Sequence, residues 1–420
     1  MTERLLQFIW QFQYFNTHEL ETTAGDRLQI VYSGQWNNHQ GPDFSDARVR
    51  VADKVWAGNV ELHLLASDWH RHAHHTDENY ENVILHVVWI NDDNRLANKI
   101  PTLVLEDRIP VFLLQQYESW MHSSAFIPCA NNAGSVNNLL WISWQERLLV
   151  ERLQRKCLHI RSMLDINNDH WEETLWWLLA RNFGLSVNAG AFEELARSIP
   201  FKILTRHKTQ IHQLEALLLG QAGLLKDDRE DNYLIMLRKE YAFYKSKYGL
   251  ETIHSPVHFL RMRPPAFPTV RLAQLAMLLH SSVNIFSSML EADSIKELNA
   301  LLEITANDYW HYHYTFGQTS AYGPKTLGAH MICNIIVNTV VPVVFAYGYF
   351  QQQEKYTVKA MDWLSEMAAE KNHVTRGFLA LGIESRNAAA SQALIELKTQ
   401  YCESRRCLNC AIGNAILKGK

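Results

Sequence analysis

Three short segments hold residues whose types and spacing point to chemistry. Gly41-Pro42-Asp43 and Glu61-Leu62-His63 offer two carboxylates and an imidazole, and the turn at Asp53-Lys54 makes the strands that bear them a hairpin. Residues two apart in a strand share a face, so Glu61 and His63 point the same way, and the hairpin brings Asp43 alongside Glu61. Two carboxylates that close repel, and a divalent cation, Mg2+ or Mn2+, is the common remedy. Immediately downstream runs SDWHRHAHHTDENYENVILHVVW. Six of the 20 histidines (His63, His70, His72, His74, His75 and His86) fall in this neighbourhood, with Asp68 and Asp77 among them. Such density suits Zn2+, Mn2+ or Fe2+. The candidate ligands are His70, His72, His75 and Asp77; hydrogen bonds that order a loop are the competing account. His86 interrupts an apolar run and is either a core histidine bonded to a neighbour, the favoured account, or aimed at the site.

The third segment is YCESRRCLNCAIG at Tyr401–Gly413. Cys402-x4-Cys407-x2-Cys410 supplies three thiolates at a spacing seen in zinc and iron–sulfur sites. Cys129 is the candidate fourth ligand, whereas Cys157 and Cys333 fall in apolar helical stretches and read as core residues. Three reduced cysteines without a metal are the alternative. Further along, Pro264, Pro265 and Pro268 fix an extended backbone that presents Arg261, Arg263 and Arg271 ahead of a helix. These arginines suit a phosphate clamp, and equally an ion pair with a buried glutamate such as Glu215. The aromatic groups Trp171, Trp176, Trp177 and Tyr309–Tyr314 are read as packing rather than as base-stacking platforms.

The elements that must position these residues change character along the chain. Residues 3–18 carry apolar side chains at helical spacing, and Leu28–Ser33, Ala47–Val51, Val55–Leu64, Val83–Ile90 and Thr102–Glu106 read as strands. From Asn138 onward the periods are helical. The expected layout is an α/β domain over 1–110, a linker over 111–137 and an all-helical region over 138–420. A hydrophobic content of 47 % with 20 % charged residues excludes wholesale disorder in this 420-residue chain. The net charge of −4 provides no global attraction to nucleic acid, so any such binding needs a local patch. Glu3, Arg4 and Gln7 break the apolar stretch a signal peptide would need. Met331–Phe350 is interrupted by Asn334, Asn338, Thr339 and Pro342, which predicts a buried core helix that breaks near Pro342. A cytoplasmic protein with reduced cysteines and no membrane span is expected.

The order and placement of Pro42-Asp43 and Glu61-x-His63 resemble the PD-(D/E)XK nuclease core. That family has a helix, a three-stranded meander, a second helix and a further strand. Its Asp begins the second strand, and an acidic-x-Lys motif lies on the third. The resemblance covers roughly the first quarter of the chain. It implies a restriction-endonuclease-like mixed sheet and metal-assisted hydrolysis of a phosphodiester in DNA or RNA. Asp43 and Glu61 would hold the metal, His63 would stand beside the attacking water, and Glu19 or Glu21 would supply the acid of the first helix. His63 replaces the family's lysine and lacks its fixed charge, which keeps a degenerate, binding-only version as an alternative. Some members that process DNA ends carry a cysteine cluster with three ligands near the C-terminus; here Cys129 follows the nuclease-like part instead of preceding it.

Over nearly its whole length, through GPDF, GNVELH, SDWHRHAHHTDENY, EALLLGQAG, RMRPPAFPTVRLAQLA and YCESRRCLNCAIG, the chain resembles the domain of unknown function 2851 family of bacterial proteins. That kinship implies no activity. Two readings from other classes compete with the nuclease: a non-catalytic scaffold whose helices bind another protein, and a zinc hydrolase built on His70, His72, His75 and Asp77.

Overall fold

Thr2 accepts a hydrogen bond from the Leu5 N–H at 3.2 Å and so starts helix α1, Glu3–Phe12. Leu5, Leu6, Phe8, Ile9 and Trp10 are buried along it. Five such side chains contribute roughly 8–15 kcal/mol gross, an upper bound because the unfolded chain already hides part of that surface. The helix ends at Gln13, whose φ of 52° lies in the left-handed region, well before residue 18. The computed structural model describes residues 1–37, 40–93, 95, 99–226, 231–260, 262–282 and 284–419.

Next comes a mixed sheet of seven strands: β1 (Leu20–Glu21), β2 (Arg27–Tyr32), β3 (Gln35–Trp36), β4 (Phe44–Val51), β5 (Lys54–Leu65), β6 (Val83–Ile90) and β7 (Thr102–Val104). The spatial order is β1-β2-β4-β5-β6-β7, with β3 on β4. Strands β1 to β5 pair antiparallel, whereas β5–β6 and β6–β7 are parallel. A parallel pair needs a crossover. Residues 66–82 supply it, with helix α2 (Asp68–Arg71) and two 3-10 turns, His74–Thr76 and Glu78–Tyr80. Both faces of β6 are covered, as its continuous apolar run requires. Register puts Glu61 beside His86. A bulge between Phe44 and Ala47, where Asp46 takes φ 58°, bends β4 just after Asp43.

The chain divides into two compact units. Unit 1 comprises 1–144, 377–383 and 396–420; unit 2 comprises 145–376 and 384–395. The segment 111–137, expected as a linker, belongs to unit 1 and is partly helical. Helix α3 (Val111–His122) buries Leu113 and Trp120, which share one face seven residues apart, and α4 spans Ala130–Ala133. The C-terminal helix α5 (Ala411–Leu417) packs against both. Unit 1 therefore extends past the expected boundary at 110 and takes in the end of the chain.

Unit 2 is helical apart from a small hairpin, His313–Thr315 with Gln318–Thr319. The helical run after Phe267 is divided into Pro268–Ser281 and Ile285–Glu291, because Ser282 is extended and Asn284 caps the second piece. Ala329–Phe350 is long and apolar enough to cross a membrane, and 72 % of its most apolar stretch is buried within the protein. It does not break at Pro342. Ile336–Val340 widens into a π segment and Pro342 opens the next helical stretch, where its missing N–H costs little. Cys157 is buried as expected, but Cys333 is exposed.

Candidate metal centre

Asp43 stands where the chain turns into β4. Gly41 has φ +104°, a region that side chains resist, and makes the turn possible. Two donors hold the Asp43 carboxylate: the Gln7 amide reaches Oδ1 at 2.7 Å and the Leu62 N–H reaches Oδ2 at 3.0 Å. In return, the Asp43 N–H donates to Glu61 Oε2 at 3.0 Å. The two carboxylates are thus adjacent, as the hairpin predicted.

Glu61 turns its other oxygen toward imidazoles. Oε1 lies 3.5 Å from His63 Nε2 and 3.3 Å from His74 Nε2. Both nitrogens are buried and, among the described residues, have no hydrogen-bond partner; the side chains of His63 and His74 are 1 % and 11 % exposed. His72 joins them: one ligand nitrogen from each of His63, His72 and His74 falls within 4.8 Å of the others. Ligands bound at about 2.0–2.2 Å to one cation sit about 3–3.5 Å apart, so the Glu61, His63 and His74 separations fit a metal. On its far side His63 Nδ1 bonds His86 Nε2 at 2.9 Å. This is the support that fixes the tautomer and ring orientation of a ligating histidine. Tyr80 stacks on His74 with ring centroids 3.8 Å apart, and Trp69 presents its face or edge to His63, His74 and His86.

The electrostatics follow from this crowding. Burial, then the Glu61 charge, pushes the Asp43 carboxyl up to about 8. Burial, then neighbouring His86 and His74, pushes His63 down to about 2, and burial pushes His86 down to about 3. A neutral imidazole offers a lone pair to a cation, and a shared cation removes the penalty on Asp43. Tyr80 is raised to about 12 by burial and by the Glu61 and Asp43 charges.

Several candidates lie elsewhere. His70 and His75 pair with each other, ring centroids 5.0 Å apart, and Asp77 caps the second 3-10 turn by accepting from the Asn79 N–H. Neither Glu19 nor Glu21 serves as the helix acid. Glu19 is 78 % exposed beside His18, and Glu21 lies exposed on β1. The acidic residue near the site is Glu3, raised by burial and within the field of His72, Glu61 and Asp68. Gln7, one turn further along α1, touches Asp43 directly. In unit 2, Arg263 is exposed and Arg271 bonds Gln274 at 2.9 Å; Arg261 lies outside the described residues. Among the described residues Glu215 pairs with no arginine: it accepts from Tyr233 Oη at 2.7 Å and Trp310 Nε1 at 3.1 Å. Trp310 is buried, and Tyr309 stacks between Tyr233 and His313, which is packing. A cavity of about 630 Å3 in unit 2, lined in part by Lys156, His159, Arg181 and Asn338, includes none of the histidine group. Cys129, Cys402, Cys407 and Cys410 do come together in unit 1.

In class, this is a mixed-sheet α/β domain with a buried histidine–carboxylate cluster, joined in sequence to a mostly helical region. The chain belongs to the family described as protein of unknown function DUF2851, whose model matches residues 3–373. The matched span stops before Cys402. No curated protein and no solved structure matches the chain.

Proposed function

We propose that the protein is a metal-dependent phosphodiester hydrolase of nuclease type, acting on DNA or RNA. The observation that carries this reading is the convergence of Glu61 Oε1 with the partnerless Nε2 atoms of His63 and His74, beside Asp43. A restriction-endonuclease-like core is supported by the succession of α1, three antiparallel strands β2-β4-β5, a crossover and a parallel β6. Nitrogen donors favour Mn2+ or Zn2+ over Mg2+. Asp43, Glu61, His63, His72 and His74 would hold the cation. When bound, it supplies Lewis-acid polarisation of a phosphoryl oxygen and a more acidic water.

The protein's own groups do the rest. Gln7 and the Leu62 N–H aim the Asp43 carboxylate, and His86 fixes the His63 ring. His63, buried and held through Nδ1 by His86, acts as a ligand through Nε2 and not as the base beside water. Exposed Arg263 is a phosphate contact in unit 2. The burial of His63 and His86, at 1 % and 0 %, also favours a second reading, a structural metal in a non-catalytic scaffold. Protein stripped with chelator and reloaded separately with Mn2+, Zn2+ or Mg2+ is assayed on labelled single- and double-stranded DNA and on RNA, beside Asp43→Ala and Glu61→Ala. Cleavage by the wild type above both variants is expected. Metal binding with equal, background cleavage in all three proteins leaves the scaffold.

A further inference from the structure

The histidine centre leaves four cysteines of unit 1 unexplained. Cys129 caps α4, Cys402 ends the π segment Leu397–Cys402, Cys407 opens the 3-10 turn Cys407–Asn409, and Cys410 caps α5. α5 packs on α4 and on that 3-10 turn, and the turn packs on the π segment, so two stretches of chain far apart in sequence, one at Cys129 and one at 402–410, deliver thiols to one place. Every pair among the four lies close enough to interact electrostatically.

The surroundings are built for sulfur carrying negative charge. Cys410 Sγ is approached by the backbone N–H groups of Ile412 and Gly413 and by the Trp144 indole N–H. Position 413 must be glycine, since a Cβ there would lie 2.4 Å from the Cys407 carbonyl oxygen. Three of the four cysteines are buried and Cys402 is half-buried. Arg405 donates to the carbonyl oxygens of Trp120 and Ser123 and so holds α3 to the loop that carries the cysteines.

We propose that Cys129, Cys402, Cys407 and Cys410 ligate a [4Fe–4S] cluster that fastens the C-terminal segment onto α3 and α4. A cluster fits better than a single ion. Zinc binds thiolates at about 2.3 Å in a tetrahedron, which brings the sulfurs within about 3.8 Å of each other. Among the described residues, the group of donor atoms within 4.8 Å of one another is the histidine trio, and the four sulfurs are spread more widely. The loop also reaches the first site: Arg4 on α1 donates to Asn409 Oδ1 at 2.9 Å, between Cys407 and Cys410, one turn from Gln7. The cluster is a positioning element for the helix that aims Asp43.

The test measures iron, acid-labile sulfide and zinc in full-length protein purified without oxygen, then again after reconstitution with ferrous iron and sulfide. About four irons and four sulfides per chain are expected, with iron–thiolate visible absorption. Cys402→Ser and Cys407→Ser lose them, while the exposed Cys333→Ser and the histidine-site variant His74→Ala keep them. One zinc per chain without sulfide overturns the cluster. Wild-type protein that takes up neither iron nor zinc at the cysteines overturns the site. Because the wild-type analysis stands alone, a cysteine variant that fails to fold does not shelter the proposal. Absence of nuclease activity leaves it untouched.

Discussion

Without a cation, the carboxylate pair makes the protein lose stability as pH rises through neutrality. Burial and Glu61 raise Asp43 from 3.8 to about 8, so the folded state holds this proton more tightly than the unfolded chain does. Its contribution is fully present below the unfolded value and is lost as pH climbs toward about 8. His63 and His86 act in the opposite sense. Lowered from 6.5 to about 2 and about 3, they make stability fall as pH drops below 6.5, and above it they are neutral in both states. Between pH 6.5 and 8 the Asp43 effect amounts to about 1.5–2 kcal/mol, at 1.36 kcal/mol per unit less the partial ionisation near the upper end. Glu215, raised to about 7 by burial, titrates in part of this range, and a variant is needed to isolate Asp43. Chelator-treated wild type and Asp43→Asn are unfolded in denaturant at pH 6.5, 7.0, 7.5 and 8.0. The wild type should lose about 1.5–2 kcal/mol more than the variant over the series. Saturating Mn2+ or Zn2+ should reverse the trend, since the cation competes with protons for the same groups. Equal slopes in the two proteins would refute the carboxylate coupling on which the metal centre rests.

Three further outcomes follow from single contacts. His74→Ala should weaken Zn2+ or Mn2+ binding, read by calorimetry on stripped protein, by more than the roughly 10–100-fold expected for the supporting His86→Leu, while His75→Ala leaves it unchanged. An effect of His75→Ala equal to that of His74→Ala would contradict the placement. Gln7→Ala removes the 2.7 Å bond to Asp43 Oδ1 and should cost the metal-loaded protein about 1.5–3 kcal/mol in denaturant unfolding. A loss below about 0.5 kcal/mol would mean that Asp43 does not depend on α1. Glu215→Leu strands the Tyr233 hydroxyl and the Trp310 indole N–H and should destabilise unit 2 by about 1–3 kcal/mol per orphaned donor; Glu215→Gln, which can still accept from one of them, should cost less.

What the sequence revealed of the site tracks how local each constraint was. Asp43, Glu61 and His63 were legible because a hairpin has one period and a turn fixes its register, so two positions apart means one face. The four cysteines were legible for a different reason: thiolate spacing in Cys402-x4-Cys407-x2-Cys410 is informative by itself, although the choice of Cys129 needed the elimination of Cys157 and Cys333. His74 was missed in favour of His75 because no period governs residues 66–82. Ala73 sits at φ 59° between α2 and the 3-10 turn, and that one left-handed residue resets the direction of every side chain after it. His74 then falls on Tyr80 and Glu61, and His75 swings back to His70. Gln7 and Glu3 were invisible for a third reason: α1 reads as an amphipathic helix, but which polar residue at its margin meets a strand is set by how the helix lies on β5. The same logic explains the linker error at 111–137. A proline preceding a helix disturbs none of its hydrogen bonds, so Pro110 admits α3, and Leu113 and Trp120 bury the face that follows. A catalytic or metal constellation is therefore recoverable from sequence where strands or ligand spacing fix it, and lost where a crossover loop or a packing angle does. The His63–His72–His74 group, built from one strand residue and two crossover residues, lies on that divide.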